Sequence, residues 1–143
     1  MTGLLTEEAL YKKSPQEITA LLYEACLTNL EESIDDINNK DYVIANRKLQ
    51  KANDILYRLG AGLNYEAGII ADQLDALYNY MADSVIEANY KKDTKIIEQV
   101  IKSLQSITLA WNEALKKKNA TPSNGLRNKA MAYEKSVLVE DKF

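Results

Sequence analysis

The chain has 143 residues, of which 46% are hydrophobic and 27% charged, and carries a net charge of −3. That length suits one compact domain with a sizeable core, and that composition suits a soluble globular chain rather than a disordered one. The acidic balance offers no basic face for nucleic acid, and no stretch nears the ~18 consecutive apolar residues of a membrane span, so neither nucleic acid nor membrane insertion is expected.

Five Gly and two Pro are few punctuators for this length, which points to a mostly helical chain. The opening "MTGLLTEEALYKK" lacks the basic and long apolar regions of a signal peptide. The first helix starts with a strong signal. "SPQE" sets Ser14 at the N-cap, Pro15 at the first helical position and Glu17 where it can close a capping box. This helix is expected over 15–38, where "NNKD" breaks it. Cys26 is the only cysteine, so no internal disulfide is available. Its apolar helix face predicts a buried free thiol, and a reducing cytoplasm fits.

The second helix is expected over 41–63, capped by Asp41, with a seam of Tyr42, Ala45, Leu49, Ala52, Leu56, Leu59 and Leu63 in steps of three and four. "GAGLNYEAG" then supplies a turn. The third helix is expected over 69–90, with Ile70, Leu74, Leu77, Tyr78, Met81, Val85 and Ala88 inward. "KKDT" offers Asp93 or Thr94 as the next cap. The fourth helix, over 94–118, carries Ile97, Val100, Leu104, Ile107, Trp111 and Ala114. Its terminal Lys116-Lys117-Lys118 complements the helix dipole. Residues 119–143 open with the linker-like "NATPSNG" and form a tail that is either frayed or a short docked helix. Four helices with short connections predict an all-α, antiparallel up-down-up-down four-helix bundle over 1–118.

Several apolar residues exceed what such a bundle needs. The first helix has one face with Ile18, Leu21, Leu22, Ala25 and Cys26 and a second with Tyr23, Leu27, Leu30, Ile34 and Ile37. At 100° per residue the centres of the two faces lie more than ~100° apart. Ile69, Ala76 and Tyr80 form a further row on the third helix, and Leu109 stands off the seam of the fourth. Such rows suit a groove for an amphipathic partner. They also suit the flanks of one wide core face, or a surface covered by the N-terminal segment or the tail. Nine tyrosines against one Phe and one Trp favour interfaces and core edges alike, and Tyr11, Tyr23, Tyr65, Tyr80 and Tyr90 lie off the clearest seams.

The chemistry of catalysis is not in evidence. Without histidine there is no His-based acid–base pair, no Ser-His-Asp triad, no Glu-x-x-His di-iron site and no ordinary zinc site. No Gly-rich loop precedes a lysine at P-loop spacing. Acidic pairs such as Glu31-Glu32 and Asp35-Asp36 read as a solvated helix face. No enzyme, cofactor or metal is expected.

Several separated pieces match one known family in order. They are Ser14-Pro15, Leu22-Tyr23, Leu74 with Leu77-Tyr78 and Tyr80-Met81, Ala88-Asn89, Asp93, Glu98 with Val100, and Ala110-Trp111. Across Ser14 to Ala114 the chain resembles the flagellar secretion chaperones of the FliS family. The resemblance implies a non-enzymatic helical bundle of the bacterial cytoplasm. It implies one-to-one binding of the disordered C-terminal segment of flagellin, suppression of premature polymerisation and delivery to the flagellar type III export gate, with no cofactor. Tyrosines ahead of the Ser-Pro are implied to contact or gate the client groove, and Tyr11 holds that place here. The partner-binding residues expected are Tyr11, Tyr23, Leu27, Leu30, Ile34, Ile69, Ala76, Tyr80 and Leu109. The alternative is a non-enzymatic adaptor that forms a homodimer through its second apolar rows.

Overall fold

The computed structural model describes residues 13–64 and 68–119. These form four helices, α1 (Pro15–Asn38), α2 (Tyr42–Ala61), α3 (Ile69–Lys91) and α4 (Thr94–Asn119), and no strand lies among the described residues. The helices pack in a ring, α1 on α2, α2 on α3, α3 on α4 and α4 back on α1. Successive helices run antiparallel. Asn46 near the start of α2 meets Asn89 near the end of α3, and Trp111 near the end of α4 meets Gln16 at the start of α1. The chain is an all-α four-helix bundle.

Each helix end follows from local chemistry. The Ser14 hydroxyl accepts from the Glu17 N–H at 3.1 Å, and the Glu17 carboxylate accepts from the Ser14 N–H at 3.2 Å. Both halves of the capping box are therefore made, with Pro15 contributing no orphan N–H of its own. At α2 the expected cap is not made, since the Asp41 side chain forms no capping hydrogen bond. That helix stops at Ala61, two residues short of the expected end. Gly68 enters α3 at φ 72°, a left-handed conformation that glycine adopts without a Cβ penalty. Lys92 closes α3 in the left-handed region, and its ammonium donates to the Asn89 carbonyl at 2.7 Å. Asp93 then caps α4 by accepting from the Lys95 N–H at 2.9 Å.

The core departs from the sequence reading most at α1. The buried line is Gln16, Thr19, Tyr23, Cys26, Leu30, Ser33 and Ile37, spaced alternately by three and four. The two apolar faces read from the sequence are the flanks of this one seam. The seam's own midline includes hydroxyl residues, which an apolar count passes over. Those hydroxyls are satisfied within the helix, Thr19 donating to the Pro15 carbonyl at 3.1 Å and Ser33 to the Leu30 carbonyl at 2.6 Å.

In α2 the seam Ala45, Leu49, Ala52, Leu56 and Leu59 is buried, while Tyr42, at the first residue of the helix, stays exposed. In α3 the seam is Ala71, Leu74, Tyr78, Met81, Val85 and Ala88. Leu77 is only partly buried against it. In α4, Thr108 takes the buried place expected of Ile107, its hydroxyl donating to the Leu104 carbonyl at 2.8 Å.

Candidate functional site

At the heart of the bundle three aromatic rings meet. Tyr23 on α1 and Tyr78 on α3 share a 2.5 Å hydrogen bond between their hydroxyls. Trp111 on α4 packs edge-on against Tyr23, with centroids 5.8 Å apart and an 84° angle between ring planes. The Trp111 indole donates to the Gln16 carbonyl at 2.9 Å. Cys26 lies beside this cluster, fully buried, with its thiol 3.6 Å from the Ala52 carbonyl.

Burial pushes the Cys26 thiol from its ordinary 9.0 up to about 12 and the Tyr78 hydroxyl from 10.0 up to about 12, and it raises Tyr23 as well. Each group stays protonated in the fold at a pH where the unfolded chain has already ionised. Stability is therefore complete below about pH 9 and falls as pH rises toward 12. Urea midpoints measured from pH 8 to 11 are expected to show this fall, and Cys26→Ala is expected to move its onset from about 9 to about 10, where tyrosine titrates.

The residues expected to bind a partner divide into two groups. Tyr23 and Leu30 are wholly inside, Leu27 is buried and Ile34 packs against the core. The expectation that this row of α1 is surplus surface is corrected by its burial. Ile69 at 72% exposure, Tyr80 at 66% and Leu109 at 63% lie on the surface, together with Ala76. With the α3 seam now located, Ile69, Ala76 and Tyr80 stand roughly 140–180° from its centre at 100° per residue. They are an outward ridge rather than the shoulder of the core. Tyr11 and the tail 120–143 lie outside the described residues.

The sequence reading missed much of the exposed apolar surface. Among the described residues, large hydrophobics are exposed at Tyr42, Val43, Ile44 and Tyr57 on α2, at Ile69, Tyr80, Ile86 and Tyr90 on α3, and at Leu109 on α4. None is on α1. Most of this exposed apolar surface is therefore on α2 and α3. Between these helices runs a groove of about 510 Å³, lined by Asn46, Gln50 and Asn53 from α2 and by Ile86, Asn89 and Tyr90 from α3. The signal was available, because Val43, Asn46, Gln50, Asn53 and Tyr57 recur at steps of three and four along α2. Its mixed apolar and carboxamide character hid it from a search for apolar rows.

The opposite flank is charged and closed. Lys48 on α2 reaches Asp36 at 2.8 Å and Glu32 at 3.5 Å on α1. No group of three or more His, Cys, Asp or Glu gathers among the described residues, and none of their helices is long and apolar enough to cross a membrane.

Comparison with known proteins identifies the family of this bundle. Residues 5–118 match the family model described as flagellar protein FliS. The chain belongs to the FliS family. It is similar to the flagellar secretion chaperone FliS of Bacillus subtilis, at 31% identity over 102 residues, covering 71% of this chain and 76% of the relative. It is 32% identical over 109 residues to the protein of the same name from Salmonella typhimurium, covering 75% and 81%. The Vibrio cholerae protein, also so named, is 30% identical over 101 residues, covering 70% and 74%. Residues 5–118 span all four helices save the last residue of α4, and so include the α2–α3 face.

Proposed function

We propose that this chain is a non-enzymatic export chaperone of the bacterial cytoplasm, which binds the disordered C-terminal segment of flagellin one to one, keeps it from polymerising and delivers it to the flagellar type III export gate. The observation that carries the reading is the distribution of large exposed hydrophobics among the described residues, four on α2, four on α3 and one on α4 against none on α1. Monomeric soluble proteins rarely expose contiguous apolar patches of this kind unless a partner uses them. Membership of a family whose matched relatives are named flagellar secretion chaperones supplies the class of partner.

The physical logic suits transport. A disordered client that orders on binding loses conformational entropy, which lowers its affinity per unit of buried area. A wide, shallow apolar face therefore covers the client's assembly surface and still releases it at the gate. The client face extends along Ile69, Ala76 and Tyr80 on α3 and reaches Leu109 on α4, and Tyr11 contributes to client binding as the family resemblance implies. Tyr23, Leu27, Leu30 and Ile34 act beneath it, as the packing that holds the helices in place.

Calorimetric titration of a flagellin C-terminal peptide into the full chain tests this. One-to-one binding in the micromolar range or tighter is the expected result, with a gain of order in the peptide. Absence of binding at such concentrations, together with a stable homodimer in sedimentation, would instead establish the self-associating adaptor.

A further inference from the structure

The outward ridge of α3 is an apolar line with an unbalanced negative edge. Ile69 is 72% and Tyr80 66% exposed, with Ala76 exposed between them. Asp72 and Asp83 stand within about 60° of that line at 100° per residue. Both are exposed, and neither is in an ion pair among the described residues. The helix holds Asp72, Asp75, Asp83 and Glu87 against a single base, Lys91. Lys91 is already paired with Glu87 at 2.8 Å.

The chain beyond α4 has the complementary pattern. Leu126, Ala130, Tyr133 and Val137 recur at steps of four, three and four, the spacing of one helix face. Arg127 and Lys129 fall on the two sides of that face. Residues 126–139 carry three bases, Arg127, Lys129 and Lys135, against one acid, Glu134, a net charge of +2. The acidic pair Glu140-Asp141 follows directly.

Length and direction agree. Leu126 to Val137 is eleven residues, as is Ile69 to Tyr80, and each spans about 16.5 Å of helix. Because α3 and α4 are antiparallel neighbours, α4 ends at the end of the bundle where α3 begins. A helix does not run on through Pro122. Residues 120–125 reach about 20 Å when extended, against the 8–10 Å that separates packed helices. The chain can therefore turn back and start a helix beside Ile69, parallel to α3. With Leu126 level with Ile69, Lys129 is level with Asp72, Tyr133 with the small Ala76, and Val137 with Tyr80. Large residues meet small ones and a base meets an acid. Glu140 would come level with Asp83, so the match ends just past Tyr80.

We propose that residues 126–138 form an amphipathic helix that docks parallel to α3 on the ridge of Ile69, Ala76 and Tyr80 when no client is bound. Its covalent tie to the bundle gives an effective concentration of the order of millimolar, so a weak contact keeps it in place. That weakness also lets a client displace it. The docking concerns this chain alone. Its displacement rests on the client reading above, and it makes the tail a competitor for the ridge.

Paramagnetic broadening in the full chain tests this. Ala132→Cys puts a nitroxide on the side of the tail helix turned from its apolar row. The native Cys26 is fully buried and stays unlabelled. Broadening is expected to centre on the amides of residues 69–80. It is expected to vanish when Tyr133→Glu/Val137→Glu is added in the tail, and equally when Ile69→Glu/Tyr80→Glu is added on the ridge. Circular dichroism confirms that each variant is folded. The unlabelled tail variant is expected to bind a flagellin C-terminal peptide about three- to ten-fold more tightly than wild type, as for a ridge covered about 70–90% of the time. Broadening centred on another face, or unchanged by both variants, overturns the proposal. So does broadening that passes from a nitroxide-bearing chain to a separate isotopically labelled copy, which assigns the ridge to a second chain. Ridge-centred broadening with unchanged peptide affinity supports the docking and removes the ridge from the client path. If no form binds the peptide, the client reading falls, and the broadening still decides the docking.

Discussion

Tyr23→Ala is expected to lower the free energy of unfolding by about 3–5 kcal/mol, a large part of the roughly 5–15 kcal/mol that holds a domain of ordinary stability together. Tyr23 is fully buried, packs edge-on against Trp111 and shares its hydroxyl proton with Tyr78 across the bundle. Alanine removes the ring from the point where α1, α3 and α4 meet and leaves a cavity there. Tyr23→Phe separates the two contributions. It keeps the ring but strands the Tyr78 hydroxyl in the interior, at a cost of about 1–3 kcal/mol. Tyr78→Phe strands Tyr23 in the same way. The double phenylalanine variant is expected to cost clearly less than the sum, because it removes both partners of one bond. Urea unfolding of the four variants checks this. Client affinity per folded molecule is expected to be unchanged in Tyr23→Phe. Full stability with lost client binding in that variant would return Tyr23 to the client surface.

How much of this was legible in the sequence depends on how plainly each seam is written. In α2 the seam is made only of alanine and leucine from Ala45 to Leu59, and it lies where period and composition place it. The α1 boundaries and its capping box could be read from "SPQE" because caps are local, and their chemistry does not depend on the rest of the fold. The α1 seam could not be read from apolar spacing. Its midline passes through Gln16, Thr19, Cys26 and Ser33, where Thr19 and Ser33 bond to carbonyls of their own helix and Cys26 is small. An apolar count splits such a seam into two flanks and takes one of them for surplus.

The α3 ridge was legible as off-core, but the centre of the seam it stands away from was not. Leu77 drew the expected seam toward one side, whereas Ala71 and Ala82 fix the true centre on the other. Small residues mark close helix contacts and weigh little in a hydrophobic pattern. The α2 wall of the α2–α3 groove is written in the sequence only as a mixed row, Val43, Asn46, Gln50, Asn53 and Tyr57, which an apolar count passes over. Asn46, Gln50 and Asn53 read as an ordinary solvated face until α3 brings Ile86, Asn89 and Tyr90 alongside. Val43 and Tyr57 are exposed on that same row of α2.

The same geometry sets the strongest expectation for binding. Tyr57→Glu/Ile86→Glu is expected to weaken client binding by about 100-fold or more while changing stability by no more than about 0.5 kcal/mol. Both residues are about half exposed, at 51%, so the free chain loses little packing when they are replaced. In the complex, burying the exposed half of each side chain accounts for about 0.75–1.5 kcal/mol, so two together account for about 10- to 100-fold, and the cost of placing carboxylates against an apolar client carries the loss to 100-fold or beyond. Tyr80→Ala, on the outward ridge, is expected to weaken binding by a smaller factor, about ten-fold, because only one contact is shortened. Leu77→Ala reverses the pattern. Its side chain is partly buried against the core, so it is expected to cost stability, at the low end of the 2–5 kcal/mol of a fully buried leucine or below it, with affinity per folded molecule preserved. Titration calorimetry on the four proteins, each paired with a urea curve, reads both quantities at once. Undiminished client binding by the double glutamate variant would remove the α2–α3 face from the client path and leave the ridge of Ile69, Ala76 and Tyr80 to carry it alone.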